Sequence, residues 1–308
     1  MGTGKSLRYT IILLMTLLIA GNQTIAQDTT SAVSRTDTDK KKLAAVLIAE
    51  GGFYVLSLTG LYFAWYKDYP QSSFHLFDDN QEWLQMDKAG HMTTSYYVGR
   101  IGYESYRWAG VGEKTSAWAG GMLGFVYLLN VEILDGFSSG WGFSTGDLVA
   151  NTAGAALFIS QQLGWKEQRF TLKYSYHPTD YPALRPDLLG SSAVQRSLKD
   201  YNGQTYWLSG NISSFLPGES KFPKWLNVSL GYSAEGMTGA HVNTITGEVV
   251  NNPRYRQFYL SLDADLTRIH TRSKPLHYLF VVLNIVKIPF PAIEFNSLGQ
   301  VRFYPFYF

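Results

Sequence analysis

Three polar clusters interrupt stretches that are otherwise apolar and rich in Gly and Ala: Asp87, Lys88 and His91; Glu132 and Asp135; Asp147 and Asn151. Spacings of three and four residues put the members of each cluster on one helix face. Ionisable groups in apolar surroundings are costly unless they meet one another, water, an ion or a ligand, so the clusters are expected to converge on one buried polar site. Asp87 and His91 can serve as a carboxylate that orients and charges an imidazole general base, or as two metal ligands. Glu132 and Asp135 add two more carboxylates, Asp147 and Asn151 a third face, and Lys88 compensating charge. Such a set can hold a divalent cation through oxygen and nitrogen ligands, activate water through His91, or act as a purely structural network closing helix ends. These residues leave all three roles open. Crowding is expected to push the carboxylate pKa values upward. Neither a P-loop nor His-Glu-x-x-His occurs, and His75 and His177, in polar or turn surroundings, carry no role.

Helices must position the clusters. Leu43 to Tyr66 is mostly apolar and long enough to span about 30 Å of hydrocarbon, although Glu50 and three glycines (Gly51, Gly52, Gly60) equally suit a buried core helix. Met86 to about Trp108, Ser116 to Leu134 and Gly146 to Leu163 follow as helices, with small residues such as Gly120, Gly124 and Gly154 allowing close approach. The glycines between Asp135 and Gly146 predict a tight exposed loop, with Thr145 or Gly146 capping the next helix. After Trp165 the period changes to two: Phe170 to His177, Leu226 to Ser233 and Gln257 to Leu266 alternate apolar with polar residues. Further strands are expected near 204–213, 277–288 and 293–308, about six in all. The fold class is α+β: an N-terminal bundle of about four apolar helices, then an antiparallel β-sheet or small β-barrel. The divisions are 1–26 signal peptide, 27–42 polar lead, 43–165 helical and 166–308 β-rich.

The compartment follows from the first segment, where Lys5 and Arg8 precede an apolar run to Ala20 and small residues at Thr24 and Ala26. This is a secretory signal with cleavage expected after Ala26. The 308 residues contain no cysteine, so there is no disulfide framework, thiolate metal site or thiol for lipid attachment. Lys plus Arg number 26 against 24 Asp plus Glu and are dispersed rather than gathered into a basic stripe, which argues against a nucleic-acid partner. Aromatics make up 15% of the chain, and together with the terminal aromatic run to Phe308 they point to a membrane interface, expected to be the outer membrane.

On Asp87-Lys88-x-x-His91, Glu132-x-x-Asp135 and Gly146-Asp147-Leu148-x-x-Asn151-x-x-Gly154, the chain resembles the YfiM-type family of uncharacterised predicted periplasmic lipoproteins, itself similar in pattern to VanZ-like membrane proteins. The likeness covers about residues 80–165, and the run from Lys199 to Leu208 is similar to longer members with a C-terminal β-rich region. It implies an envelope location and a candidate site, but no reaction. Through the VanZ-like link with glycopeptide tolerance it implies a membrane lipid or envelope glycan as partner. Without a cysteine this chain departs from the lipoprotein pattern. The leading expectation is an envelope protein with a non-enzymatic binding or maintenance role. The rival is a membrane-embedded enzyme acting on a lipid or glycan headgroup, with His91 as base and Asp87 orienting it. A small β-barrel pore or transporter is the third.

Overall fold

The computed structural model describes residues 38–67 and 69–308, so the expected signal sequence and most of the expected polar lead lie outside the described residues. Helix α1, Lys40–Leu61, starts where the Asp39 carboxylate accepts from the backbone N–H groups of Lys41 and Lys42. It starts three residues earlier than the sequence suggests, and its continuation Tyr62–Tyr66 widens into a π-turn. Val46 packs with Tyr106 and Ala109, and the Tyr106 hydroxyl donates to Glu50. The rest of α1 is largely exposed. It is therefore not a buried core helix. Both α1 and the stretch Glu113–Asp135 are long and apolar enough to cross a membrane; the latter, however, is packed within the bundle.

Helix α2, Met86–Trp108, is the axis of that bundle. The helix expected from Ser116 to Leu134 is two: α3, Glu113–Gly121, and α4, Leu123–Gly136, meeting at Met122. Helix α5, Thr145–Trp165, is capped by Ser144 rather than by Thr145 or Gly146. A Cβ on Gly124 of α4 would fall 2.1 Å from the Ser95 carbonyl oxygen, and one on Gly154 of α5 would fall 2.1 Å from that of Met92. Only glycine lets both helices press onto α2 at this depth. Tyr96, Tyr103, Ala117, Phe158 and Ile159 form the core between them. The segment before α5 is not a wholly exposed loop: Gly142 and Ser144 are buried, and strand β2, Phe143–Ser144, pairs in parallel with β1, Leu76–Phe77.

The second half is a six-stranded antiparallel sheet of β3 (Phe170–Tyr176), β4 (Gln204–Asn211), β5 (Leu226–Glu235), β8 (Tyr255–Ala264), β9 (Phe290–Asn296) and β10 (Val301–Tyr307), in the order β10-β9-β8-β5-β4-β3. Three short helices, α6 (Tyr181–Leu184), α7 (Pro186–Leu189) and α8 (Ala193–Lys199), separate β3 from β4, and a small hairpin, β6 (Thr244–Ile245) with β7 (Glu248–Val249), precedes β8. Two expectations are corrected. Residues 277–288 do not form a strand: most of them belong to α9, Lys274–Leu283, which Ser273 caps by accepting from the Leu276 N–H and Pro275 opens from its first turn. The run 293–308 is not one strand but contributes to the hairpin β9–β10, which turns at Gly299, φ 78°. Pro305 is absorbed where the register shifts between Tyr304 and Tyr307.

Side chains of this sheet are inverted relative to a soluble protein. Thr205, Ser209, Asn227, Ser229, Ser261, Asp263 and Glu294 are buried, whereas Leu208, Leu230, Phe258, Leu260, Leu262 and Phe295 on the opposite face are exposed. The sheet curls around its polar face. Tyr307 of β10 stacks on Tyr259 and its hydroxyl lies 3.1 Å from Thr205 Oγ1 of β4, while Tyr174 of β3 exchanges backbone hydrogen bonds with Ile285 and Lys287, which lead into β9. Trp207, Tyr259, Ala292 and Tyr307 pack together in the interior.

Candidate functional site

Helix α2 begins beneath one end of the sheet. Trp83, Leu84 and Gln85 immediately before it are left-handed, with φ of 47°, 50° and 64°. Each costs roughly 1–2 kcal/mol for an L-residue, so the surroundings must hold them. The Trp83 N–H donates to the Ala240 carbonyl, the Tyr232 hydroxyl to that of Leu84, and an Arg256 N–H to Gln85 Oε1. These contacts set where the start of α2 points, and its first two turns carry Asp87, Lys88 and His91.

All three sequence clusters meet there. Lys88 Nζ lies 2.6 Å from Asp79 Oδ1, 3.0 Å from Asp87 Oδ2 and 2.9 Å from Asp147 Oδ1. The His91 ring reaches Asn151 Oδ1 at 3.1 Å and Glu132 Oε1 at 3.7 Å through Nδ1, and Asp147 Oδ1 at 3.9 Å through Nε2. Asp135 stands one turn from Glu132 on α4 and accepts from the Tyr66 hydroxyl at 2.6 Å. Asp87 pairs with Lys88 rather than with the His91 ring one turn further on.

Asp79, Ser144 and Tyr66 belong to the network although no sequence cluster includes them. Ser144 Oγ donates to Asp79 Oδ1 at 2.6 Å and accepts from the Asp147 N–H, and the Ser144 N–H donates to Glu132 Oε2. A signal for Ser144 exists: Gly-Phe-Ser-x-Gly occurs twice, at 136–140 and 142–146, matching the Gly-x-Ser-x-Gly pattern of a hydrolase nucleophile elbow. Ser144 does sit between a strand and a helix. Its backbone is nevertheless ordinary extended chain, φ −92° and ψ 121°, and its side chain is a buried helix cap. The nearest amine, Lys88 at 3.5 Å, is held charged by three carboxylates and cannot act as its base.

Electrostatics follow from crowding in a poorly solvated place. Burial, then the Asp147 and Asp135 carboxylates, pushes Glu132 up to about 8 against the opposing Ser144 N–H. Burial raises Asp135 to about 7 although the Tyr66 hydroxyl favours its ionised form. It also raises Asp147 to about 6 against the pull of His91 and Lys88. Asp79 goes the other way: burial opposes its charge, but hydrogen bonds from Lys88 and Ser144 hold it below its ordinary value. Asp87 Oδ1, Glu132 Oε1 and Asn151 Nδ2 are buried without a hydrogen-bond partner among the described residues.

Two trios bring potential ligand atoms within 4.8 Å of one another: Asp79, Asp87 and Asp147, and His91, Glu132 and Asp147. In the first, the Lys88 ammonium already bonds all three carboxylates. The second shares Asp147 with it, and Lys88 touches that trio only through Asp147 Oδ1. Two clefts, ≈ 420 and ≈ 560 Å³, lie away from this chemistry and share Arg100, Glu104 and Arg107 in the later turns of α2.

A protein family described as "Predicted periplasmic lipoprotein (DUF2279)" matches residues 75–161. The matched segment contains Asp79, Asp87, Lys88, His91, Glu132, Asp135, Ser144, Asp147 and Asn151, and ends before the sheet. It supports a cell-envelope location at the level of that description, without the YfiM-type or VanZ-like specifics. No curated protein and no solved structure matches the chain.

Proposed function

We propose that this chain is a non-enzymatic cell-envelope protein of the outer membrane, embedded through its C-terminal sheet and carrying a ligand-binding site on its helices. The inverted sheet carries the location. A face bearing Leu208, Leu230, Phe258, Leu260 and Leu262 is satisfied by acyl chains, and the opposite face seals its ions and hydroxyls inside, which is the arrangement lipid demands of a β-structure. A pore is the less favoured relative, because Trp207, Tyr259 and Tyr307 fill the interior. Binding is favoured over catalysis because Asp87, the carboxylate expected to orient His91 as a base, is engaged by Lys88. Separation of envelope membranes on a density gradient, followed by alkaline extraction, tests the location. The chain is expected in the outer-membrane fraction and resistant to extraction; recovery in a soluble fraction overturns the reading.

A further inference from the structure

We infer that His91, Glu132 and Asp147 form a binding site for one divalent transition cation, with Zn2+ as the matching class. The inference deepens the reading of the polar cluster as a ligand site and rests on it.

Geometry and charge point the same way. Three protein ligands from three helices, one imidazole and two carboxylates, leave coordination positions for water, as open zinc sites do. The ligand atoms lie within 4.8 Å of one another. Bonds of about 2.1 Å in tetrahedral geometry need about 3.4 Å, so small side-chain rotations would close the site around an ion. Glu132 supplies an observation independent of the acidic cluster. Its side chain is only 2% exposed, yet Oε1 has no hydrogen-bond partner, and the nearest basic group is His91 Nδ1 at 3.7 Å. A buried carboxylate oxygen without a donor is costly to leave unpaired, and a cation between it and the ring would satisfy it.

Asn151 sets the ring. Its Oδ1 lies 3.1 Å from His91 Nδ1 and holds the imidazole between Glu132, on the Nδ1 side, and Asp147, on the Nε2 side. That is how hydrogen bonds beyond the ligands orient metal-binding imidazoles. Charge balance adds to the argument: Asp79, Asp87 and Asp147 surround the single ammonium of Lys88, so the site is anionic even with Lys88 charged. Lys88 occupies the Asp79, Asp87 and Asp147 trio and bonds Asp147 Oδ1, so Asp147 is shared, and Glu132 and His91 are the ligands that Lys88 leaves unengaged. The His91 side chain, 23% exposed, leaves an approach from solvent. An imidazole in the set selects a transition cation over Ca2+, which takes oxygen ligands.

The test is calorimetric titration of the full chain, purified in detergent and stripped with chelator, using Zn2+ and in parallel Ca2+. One Zn2+ per chain is expected, with Ca2+ bound far more weakly. His91→Gln and Glu132→Gln should each weaken zinc binding by about tenfold or more, and His75→Gln, outside the cluster, should not. His91→Gln retains a hydrogen bond to Asn151 at a solvent-open edge, so the test stands on it if Glu132→Gln does not fold. Wild-type protein that takes up no zinc overturns the inference, as does binding that survives His91→Gln undiminished. Protein that fractionates with the outer membrane yet binds no zinc removes the metal and leaves the location standing.

Discussion

Lys173 Nζ lies 2.8 Å from Asp263 Oδ2, and both side chains are wholly excluded from solvent. The pair joins β3 to β8 across the interior of the curled sheet, with β4 and β5 lying between them in the sheet order. Ser209 donates to the same Asp263 oxygen, and Lys173 donates also to the Ala264 carbonyl. Removing one partner strands a buried charge, so Asp263→Ala is expected to cost about 3–5 kcal/mol. Lys173→Met with Asp263→Leu should cost much less. Unfolding by denaturant in detergent checks the order; a double variant less stable than the single would contradict it.

The exposed face gives the converse prediction. Leu230 is 58% exposed at the middle of β5. In water Leu230→Arg would be almost neutral, whereas near the centre of a bilayer it should destabilise by about 2–4 kcal/mol. Folding yield into liposomes distinguishes the two environments. An arginine variant that inserts as well as wild type would sink the lipid-facing assignment.

Much of this arrangement is legible in sequence because its periodicities are strong. The ends of α2 are found to the residue at Met86 and to the expected turn at Trp108, and β3, β5 and β8 follow from alternation. Alternation alone cannot say which set faces inward. The same run from Gln257 to Leu266 reads as a soluble strand or as its inverse until the burial of Asp263 and the exposure of Leu260 are seen. Helix α9 escapes because a short apolar run fits either period, and its start is encoded in Ser273 and Pro275 rather than in hydrophobicity. At the site, residues on helices declare themselves by spacing. Asp79 and Ser144 do not, since they reach the cluster from a loop and a two-residue strand whose placement is tertiary.

Asp135 predicts a pH dependence of the ion-free protein. Its folded pKa, about 7, stands above its ordinary value because of burial. An acid shifted upward contributes stability that is fully present below its unfolded value, near 4, and is lost as pH rises through about 7. Asp135→Asn keeps an acceptor for the Tyr66 hydroxyl and removes the charge. It should therefore match wild type below about pH 4 and exceed it above neutrality by on the order of 2 kcal/mol. Melting curves taken along a pH series decide this; a variant advantage that appears only on the acid side would reverse the assignment.

Glycine at 154 couples the bundle to the site. A methyl group there meets the Met92 carbonyl oxygen at 2.1 Å, and a backbone atom inside a helix cannot yield as a side-chain tip can. Gly154→Ala must therefore push α5 away from α2. Asn151 sits one turn before Gly154 and His91 immediately before Met92, so the same displacement should lengthen their 3.1 Å contact. The expected cost is about 1–3 kcal/mol, typical of overpacking, together with weaker zinc binding although no ligand is altered. Gly52→Ala is the control: a Cβ at that position of α1 meets nothing within 4 Å. There the exchange should be neutral or stabilise the helix by up to about 1 kcal/mol. Thermal unfolding and zinc titration of the two variants side by side check the coupling; it fails if Gly154→Ala melts and binds as Gly52→Ala does.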